Sequence, residues 1–424
     1  MSLSETVIMT AANMSPTGVD IILKKLALND TIYKYLNGLS RKTLDGLDKI
    51  GHILIVSDTN IGDAVVLQTA CSVLKHHFPE CNIDYTYQRR AQPLICKNPF
   101  IHKDLPVFVD TDFTSKRNSE AIKAIVTENN YDLIINLYPF LLIGELTLAN
   151  CPVIVPYKLI ANIIRAQNNN SEKTHVLYQL NQYINNLVYD FPRRVRSNKA
   201  KQTFFGNTIY LPKSMVVETK EILRVFRIFE DMKIAFLNPD TSSRYSVIPI
   251  GIQVEFIEEL LSTKLYDLII LGPGFTFQDI EKELYQRIPK ELKTGKLVVL
   301  PKNIPIEVYT GLIDRSDLFI TGDTAQMHIA AARKVCVEGE YTFRNKTALI
   351  CIFGATNSMI HGYDSFSKKH LDSTQQEPAK VFEGNPECRN LTCIHKTRKK
   401  CNRLKCFDGL QAGQIIEYIS NYLN

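Results

Sequence analysis

No stretch of about 18 uncharged apolar residues, the length a helix needs to cross a bilayer, occurs in the 424-residue chain. The nearest run, 133–143, holds Asn136 and Pro139 and meets Glu145. It reads as a buried strand with its following loop. The first 20 residues also lack the basic start and apolar segment of a secretory leader. An excess of one charge is missing too. Fifty Lys and Arg face 44 Asp and Glu, a formal net charge of +6. That is well short of a dedicated nucleic-acid binder, so no nucleic-acid partner is expected. The surplus suits a nucleotide, a phosphorylated glycan or an acidic membrane face, or only a solvated basic surface. These absences point to the cytoplasm, with at most peripheral contact at the inner face of the membrane.

What is present looks globular. Hydrophobic residues make up 45% and charged residues 22%, enough for ordinary cores and too apolar for wholesale disorder. The length suits two or three domains. Residues 1–50 read as an appended helical extension, with Leu23, Leu26 and Leu28 beside Lys24 and Lys25. From residue 51 the pattern becomes strand, loop, helix, repeatedly, which implies parallel sheets. Strands are expected over 52–57, 83–87 and 131–137, with helices over 64–78 and 115–128. The stretch 165–205 is polar and broken, and reads as a hinge or loop. A second series follows, with strands over 233–238, 267–271, 296–300, 317–321 and 348–353. The expected organisation is a first Rossmann-like domain over 51–205, a second over 206–380, and a closing tail over 381–424. In such doubly wound α/β domains, ligands sit at the carboxyl ends of strands.

Four loops at such ends carry the chemistry. The first runs from Ile53 through Ile61-Gly62-Asp63. Gly62 permits a tight turn, and Asp63 stands where a helix begins. It serves either as the helix cap or as a carboxylate offered to a substrate as general base. The second carries Asp323, Thr324 and His328, followed by Ala330, Ala331 and Ala332. Thr324 and His328 share one helical face. The free N–H groups of a helix start can hold a diphosphate without metal. The plainer alternative is a capped helix with a surface histidine. The third carries Thr241, Ser242, Ser243 and Arg244, three hydroxyls and a guanidinium suited to phosphate. The fourth carries Gly354, Thr356 and Asn357.

In order and spacing these loops resemble glycosyltransferase family 9, the bacterial lipopolysaccharide heptosyltransferases. The resemblance rests on Ile61-Gly62-Asp63, on Asp323-Thr324-Ala325-Gln326-Met327-His328, and on Phe353-Gly354-Ala355-Thr356, and spans roughly residues 50 to 380. It implies a GT-B fold, two Rossmann-like domains facing a central cleft. It further implies an inverting transfer with no cofactor required for catalysis, ADP-heptose as donor, and a glycan or glycolipid acceptor of the lipopolysaccharide core. Asp63 matches the family's general base, Arg244 a position where Lys usually meets the donor phosphate, and Asp323, Thr324 and His328 the donor loop. Ala325 departs from the usual Gly. Ser57 and Asp58 stand where a basic residue is common, and 335–347 reads as an insertion. The alternatives are another nucleotide sugar, a protein acceptor, or a non-catalytic binding member of the family.

The tail carries Cys388, Cys393, Cys401 and Cys406 at paired spacing. Four thiols in this pattern suit a structural zinc or iron site, or remain free or disulfide-paired. Cys71, Cys81, Cys96, Cys151, Cys336 and Cys351 are scattered among apolar residues and read as core.

Overall fold

The structure, a computed structural model, describes residues 49–57, 60–109, 115–137, 143–146, 148–149, 151–154, 175–189, 191, 204–211, 213–229, 231–239, 247–273, 277–287, 295–333, 347–364, 379–388 and 404–423. The helical extension expected over 1–50 and the insertion expected over 335–347 lie almost wholly outside them. The chain divides into two compact units, one of 1–165 with 178–205 and one of 166–177 with 206–424.

The first unit is built on five parallel strands: β1 (His52–Val56), β2 (Asn82–Gln88), β3 (Lys103–Phe108), β4 (Leu133–Asn136) and β5 (Val153–Ile154). Their order is β3-β2-β1-β4-β5. Central β1 and β4 read His-Ile-Leu-Ile-Val and Leu-Ile-Ile-Asn and are buried almost throughout, as strands covered on both faces must be. Edge strand β3 contains Pro106, Lys103 and Asp104. Proline is tolerated at an edge because no inner ladder bond is lost. Helix Lys116–Glu128 buries Ile122, Ile125 and Val126 against Leu54, Val56 and Ile134. Each such side chain contributes about 1.5–3 kcal/mol. The helix expected over 64–78 is two helices, Ile61–Leu67 and Thr69–His77, meeting at Gln68.

The second unit carries six parallel strands: β6 (Ile234–Asn238), β7 (Leu268–Leu271), β8 (Leu297–Val299), β9 (Leu318–Gly322), β10 (Ala348–Phe353) and β11 (Ala379–Glu383). Their order is β11-β10-β9-β6-β7-β8. Counted from the first strand of each unit, both sheets follow the Rossmann order 3-2-1-4-5, extended by a sixth strand in the second. The order reverses between β1 and β4, and again between β6 and β9. The fold is therefore α/β with two Rossmann-like units, as expected.

One departure from the sequence reading matters. The stretch 165–205 is not broken throughout, since Val176–Tyr189 is a helix. Val176, Leu177, Leu180, Ile184 and Val188 are buried at helical spacing. The closing tail packs into the second unit. β11 is an edge strand, and helix Ala412–Tyr422 places Ile415, Ile416 and Ile419 in one core with Ile257, Leu260 and Ile350. Among the described residues, no helix is long and apolar enough to cross a membrane.

Candidate functional site

In an open parallel sheet, the strand order reverses where connections leave for opposite faces, and a crevice opens at the carboxyl ends there. In the second unit that place lies between β6 and β9. Asn238, the last residue of β6, donates from Nδ2 to Thr321 Oγ1 on β9 at 3.0 Å. Its Oδ1 accepts from the Tyr309 hydroxyl at 2.7 Å. The Thr321 and Thr324 hydroxyls pair at 3.0 Å, and Thr324 Oγ1 accepts from Met327 N at 3.2 Å. A buried polar chain thus ties both strand ends to the start of helix Ala325–Arg333. Thr324 acts as its cap. Asn238, Thr321 and Tyr309 escaped the sequence reading, although a polar residue closing an apolar strand is the visible sign of such a link.

The same helix is held from behind by a buried ion pair. Arg333 meets Asp314 at 2.6 Å, and Arg333 Nη1 donates to the Ile209 carbonyl at 2.6 Å. Ala330, Ala331 and Ala332 of this helix are buried. Asp323 is half-buried at the end of β9.

His328 is not a surface residue. It is buried, and its Nδ1 lies 2.9 Å from the Tyr363 hydroxyl. Burial, reinforced by nearby His361, pulls its pKa down to about 3, so the ring is a neutral hydrogen-bonding group. Burial and then the charges of Cys351 and Asp323 push the Tyr363 hydroxyl far up, so it stays protonated. The His175 ring lies 4.9 Å from that of Tyr363. Tyr363, His361 and His175 were not foreseen, since nothing in their linear spacing connects them with His328.

At the end of β10, Thr356 is buried, and its hydroxyl has no hydrogen-bond partner among the described residues. Asn357 caps a short turn by accepting from Met359 N at 3.0 Å. Gly354 does allow a close approach, but the group that approaches belongs to the tail. A Cβ there would stand 2.6 Å from the Phe407 ring. Thr241, Ser242, Ser243 and Arg244 lie outside the described residues.

In the first unit, the loop after β1 leads into helix Ile61–Leu67. Gly62 is already inside that helix and buried, so it makes no loop turn. Asp63 is the third helical residue, not the cap, which is Asn60. It is exposed, and its charge is favourably placed in the positive first turn. The Tyr85 hydroxyl donates to the Ala64 carbonyl at 2.7 Å and lies 2.8 Å from Ser57 Oγ. This fixes the helix start against β2. The helix that bears Asp63 in its first turn thus follows the carboxyl end of β1, beside the reversal of strand order.

No family model and no curated protein matches the sequence. The structure does have relatives. A family 9 glycosyl transferase from Veillonella parvula superposes with a TM-score of 0.59 at 15% identity, over 88% of this chain and 97% of that one. The E. coli ADP-heptose lipopolysaccharide heptosyltransferase II gives 0.57 at 14% identity, over 88% and 98%. The E. coli heptosyltransferase WaaC with ADP gives 0.52 at 14%, over 87% and 99%. The chain shares its fold with these glycosyltransferase structures. At these identities the likeness is one of fold.

On this fold the cysteine tail can be placed in part. The turns Pro386–Cys388 and Lys405–Phe407 pack against each other, with Cys388 half-buried and Cys406 buried. The outer two of the four tail cysteines therefore stand on adjoining turns. Cys393 and Cys401 lie outside the described residues. Cys71, Cys81 and Cys351 are buried, and Cys96 and Cys151 half-buried. Burial pushes Cys81 and Cys151 up to about 12, so they remain inert thiols. Cys336 lies outside the described residues.

Proposed function

We propose that the chain is a glycosyltransferase moving a sugar from a nucleotide-diphosphate donor to a glycan acceptor. One observation carries this reading. Asp63, in the first turn of the helix after β1, and Asp323, just after β9, each follow the carboxyl end of a strand flanking a reversal of strand order, where Rossmann-type sheets take ligands.

In this reading the second unit serves the donor. The start of helix Ala325–Arg333, with the buried Thr356 hydroxyl and Thr241, Ser242, Ser243 and Arg244, receives the diphosphate and stabilises its charge as it leaves. His328, being neutral, contributes a hydrogen bond and no charge. Asp63 of the first unit takes the proton from the acceptor hydroxyl as that oxygen attacks the anomeric carbon, which inverts its configuration. A base so placed is worth about 10²–10⁴ in rate. The finer assignment is ADP-heptose as donor and a lipopolysaccharide-core acceptor, reached from the cytoplasm at the inner membrane face. It draws support from the E. coli relatives, one determined with ADP and one named for ADP-heptose. Catalysis in this scheme calls on no metal. The adjoining thiols of Cys388 and Cys406 suit a structural zinc or iron, completed by Cys393 and Cys401.

Thermal-shift screening against ADP-, UDP- and GDP-sugars tests the proposal. Stabilisation confined to ADP-sugars supports the donor assignment. Stabilisation by the others would replace ADP, and stabilisation by none would end the transferase reading.

A further inference from the structure

The first unit holds a second polar cluster at the amino end of its sheet, away from the loop that bears Asp63. Asp84 lies on β2, its side chain only 1% exposed. His52 opens β1 and His102 immediately precedes β3. His52 Nε2 lies 3.0 Å from Asp84 Oδ2, and His102 Nδ1 lies 3.1 Å from Asp84 Oδ1. The Tyr131 hydroxyl donates to Asp84 Oδ2 at 3.0 Å. All three potential ligand atoms fall within 4.8 Å of one another. The sequence gives no hint of this meeting, because parallel register alone brings the starts of three strands side by side.

We propose that His52, Asp84 and His102 bind a divalent cation of the zinc class, which clamps the amino ends of β1, β2 and β3. Two imidazole nitrogens and one carboxylate form a donor set that such ions favour. Bonds of about 2.1 Å at tetrahedral angles place ligand atoms about 3.4 Å apart. The His–Asp separations of 3.0 and 3.1 Å, each to a different oxygen of Asp84, are near that value, and one atom from each residue lies within 4.8 Å of the others, so a cation enters once the side chains shift to share it. The surroundings fit as well. Tyr131 holds the carboxylate from outside, as the outer partner of a ligand does. The His52 ring packs 4.5 Å from the Tyr131 ring, which fixes its direction. The His102 side chain is 53% exposed, leaving a path for the ion and room for water as a fourth ligand. The competing account is a hydrogen-bonded triad that needs no ion.

The test uses metal-stripped, full-length protein with all four tail cysteines changed to serine, so that thiolates cannot compete. Titration with Zn²⁺ by calorimetry should show one site. Co²⁺ should give ligand-field absorption without thiolate charge transfer. His102→Ala changes a half-exposed side chain and should leave the fold intact. It should weaken binding at least about 100-fold, since losing even an outer partner of a ligand costs 10–100-fold. His52→Ala should do the same. Absence of Zn²⁺ binding in the parent, or unchanged affinity in His102→Ala, would overturn the proposal.

Discussion

Acidification should destabilise the second unit through His328. In the folded chain its pKa is about 3, against an ordinary value of 6.5, because burial and His361 both oppose the cation. Below pH 6.5 the unfolded chain takes up a proton that the folded chain refuses. The contribution is therefore fully present above 6.5 and is lost as the pH falls toward 3. The slope is about 1.4 kcal/mol per pH unit. At pH 4.5, two units down, the loss is about 3 kcal/mol, a large part of the 5–15 kcal/mol that typically holds a protein folded. His328→Gln cannot titrate, yet it can still bond the Tyr363 hydroxyl. Urea unfolding of both proteins at pH 7.5 and 4.5 isolates the effect. The chain has no tryptophan, so circular dichroism is the suitable signal. The stability lost between the two pH values should be about 3 kcal/mol smaller in the variant. An equal loss in both proteins would refute the reasoning and put His328 in a wetter place than the structure gives it.

Other expectations follow from the same geometry. Asp63→Ala should keep the thermal shift given by the donor while turnover falls about 10²–10⁴-fold; wild-type turnover would remove Asp63 from the base role. Arg333→Met leaves the Asp314 carboxylate, which is 0% exposed, without its guanidinium. It should cost about 3–5 kcal/mol by chemical denaturation, with most of that recovered when Asp314→Leu is added. Gly354→Ala drives a methyl into the Phe407 ring and should cost about 1–3 kcal/mol, with partial relief from Phe407→Ala in a double-mutant cycle. Gly384→Ala should be worse, because its Cβ would meet the backbone of Cys406 and Phe407, which cannot swing aside. Elemental analysis should find one zinc or iron per chain, in addition to any cation at His52, Asp84 and His102, that disappears when Cys388 and Cys406 are changed to serine.

The central strands were legible because burial on both faces demands unbroken apolar runs. β1, β4, β6, β7, β9 and β10 all advertise themselves this way. The edges were not. β3 carries Pro106, Lys103 and Asp104, and β11 is only partly buried, so neither shows a clear period. Helix Val176–Tyr189 was obscured by its asparagines and glutamines, several of which hydrogen-bond inside the fold. Asn181 bonds both the N–H and the carbonyl of Phe205, for example. At the candidate site, the strand-end loops could be read because the turn from strand to helix is local. The environment of His328 could not, since Tyr363 and His175 reach it from far along the chain. Asp84 shows the same limit, its two histidines standing 50 residues apart.

The way the closing residues are woven into the second sheet has a consequence during synthesis. β6 opens that sheet near residue 234, but its edge strand ends at Glu383 and its covering helix at Tyr422. A nascent chain therefore displays the apolar strands of this half for nearly two hundred residues of elongation before the last piece can cover them. The first unit, complete in sequence by residue 205, can fold on the ribosome in the meantime. Chaperones engaging the growing chain should find their ligands in the later half.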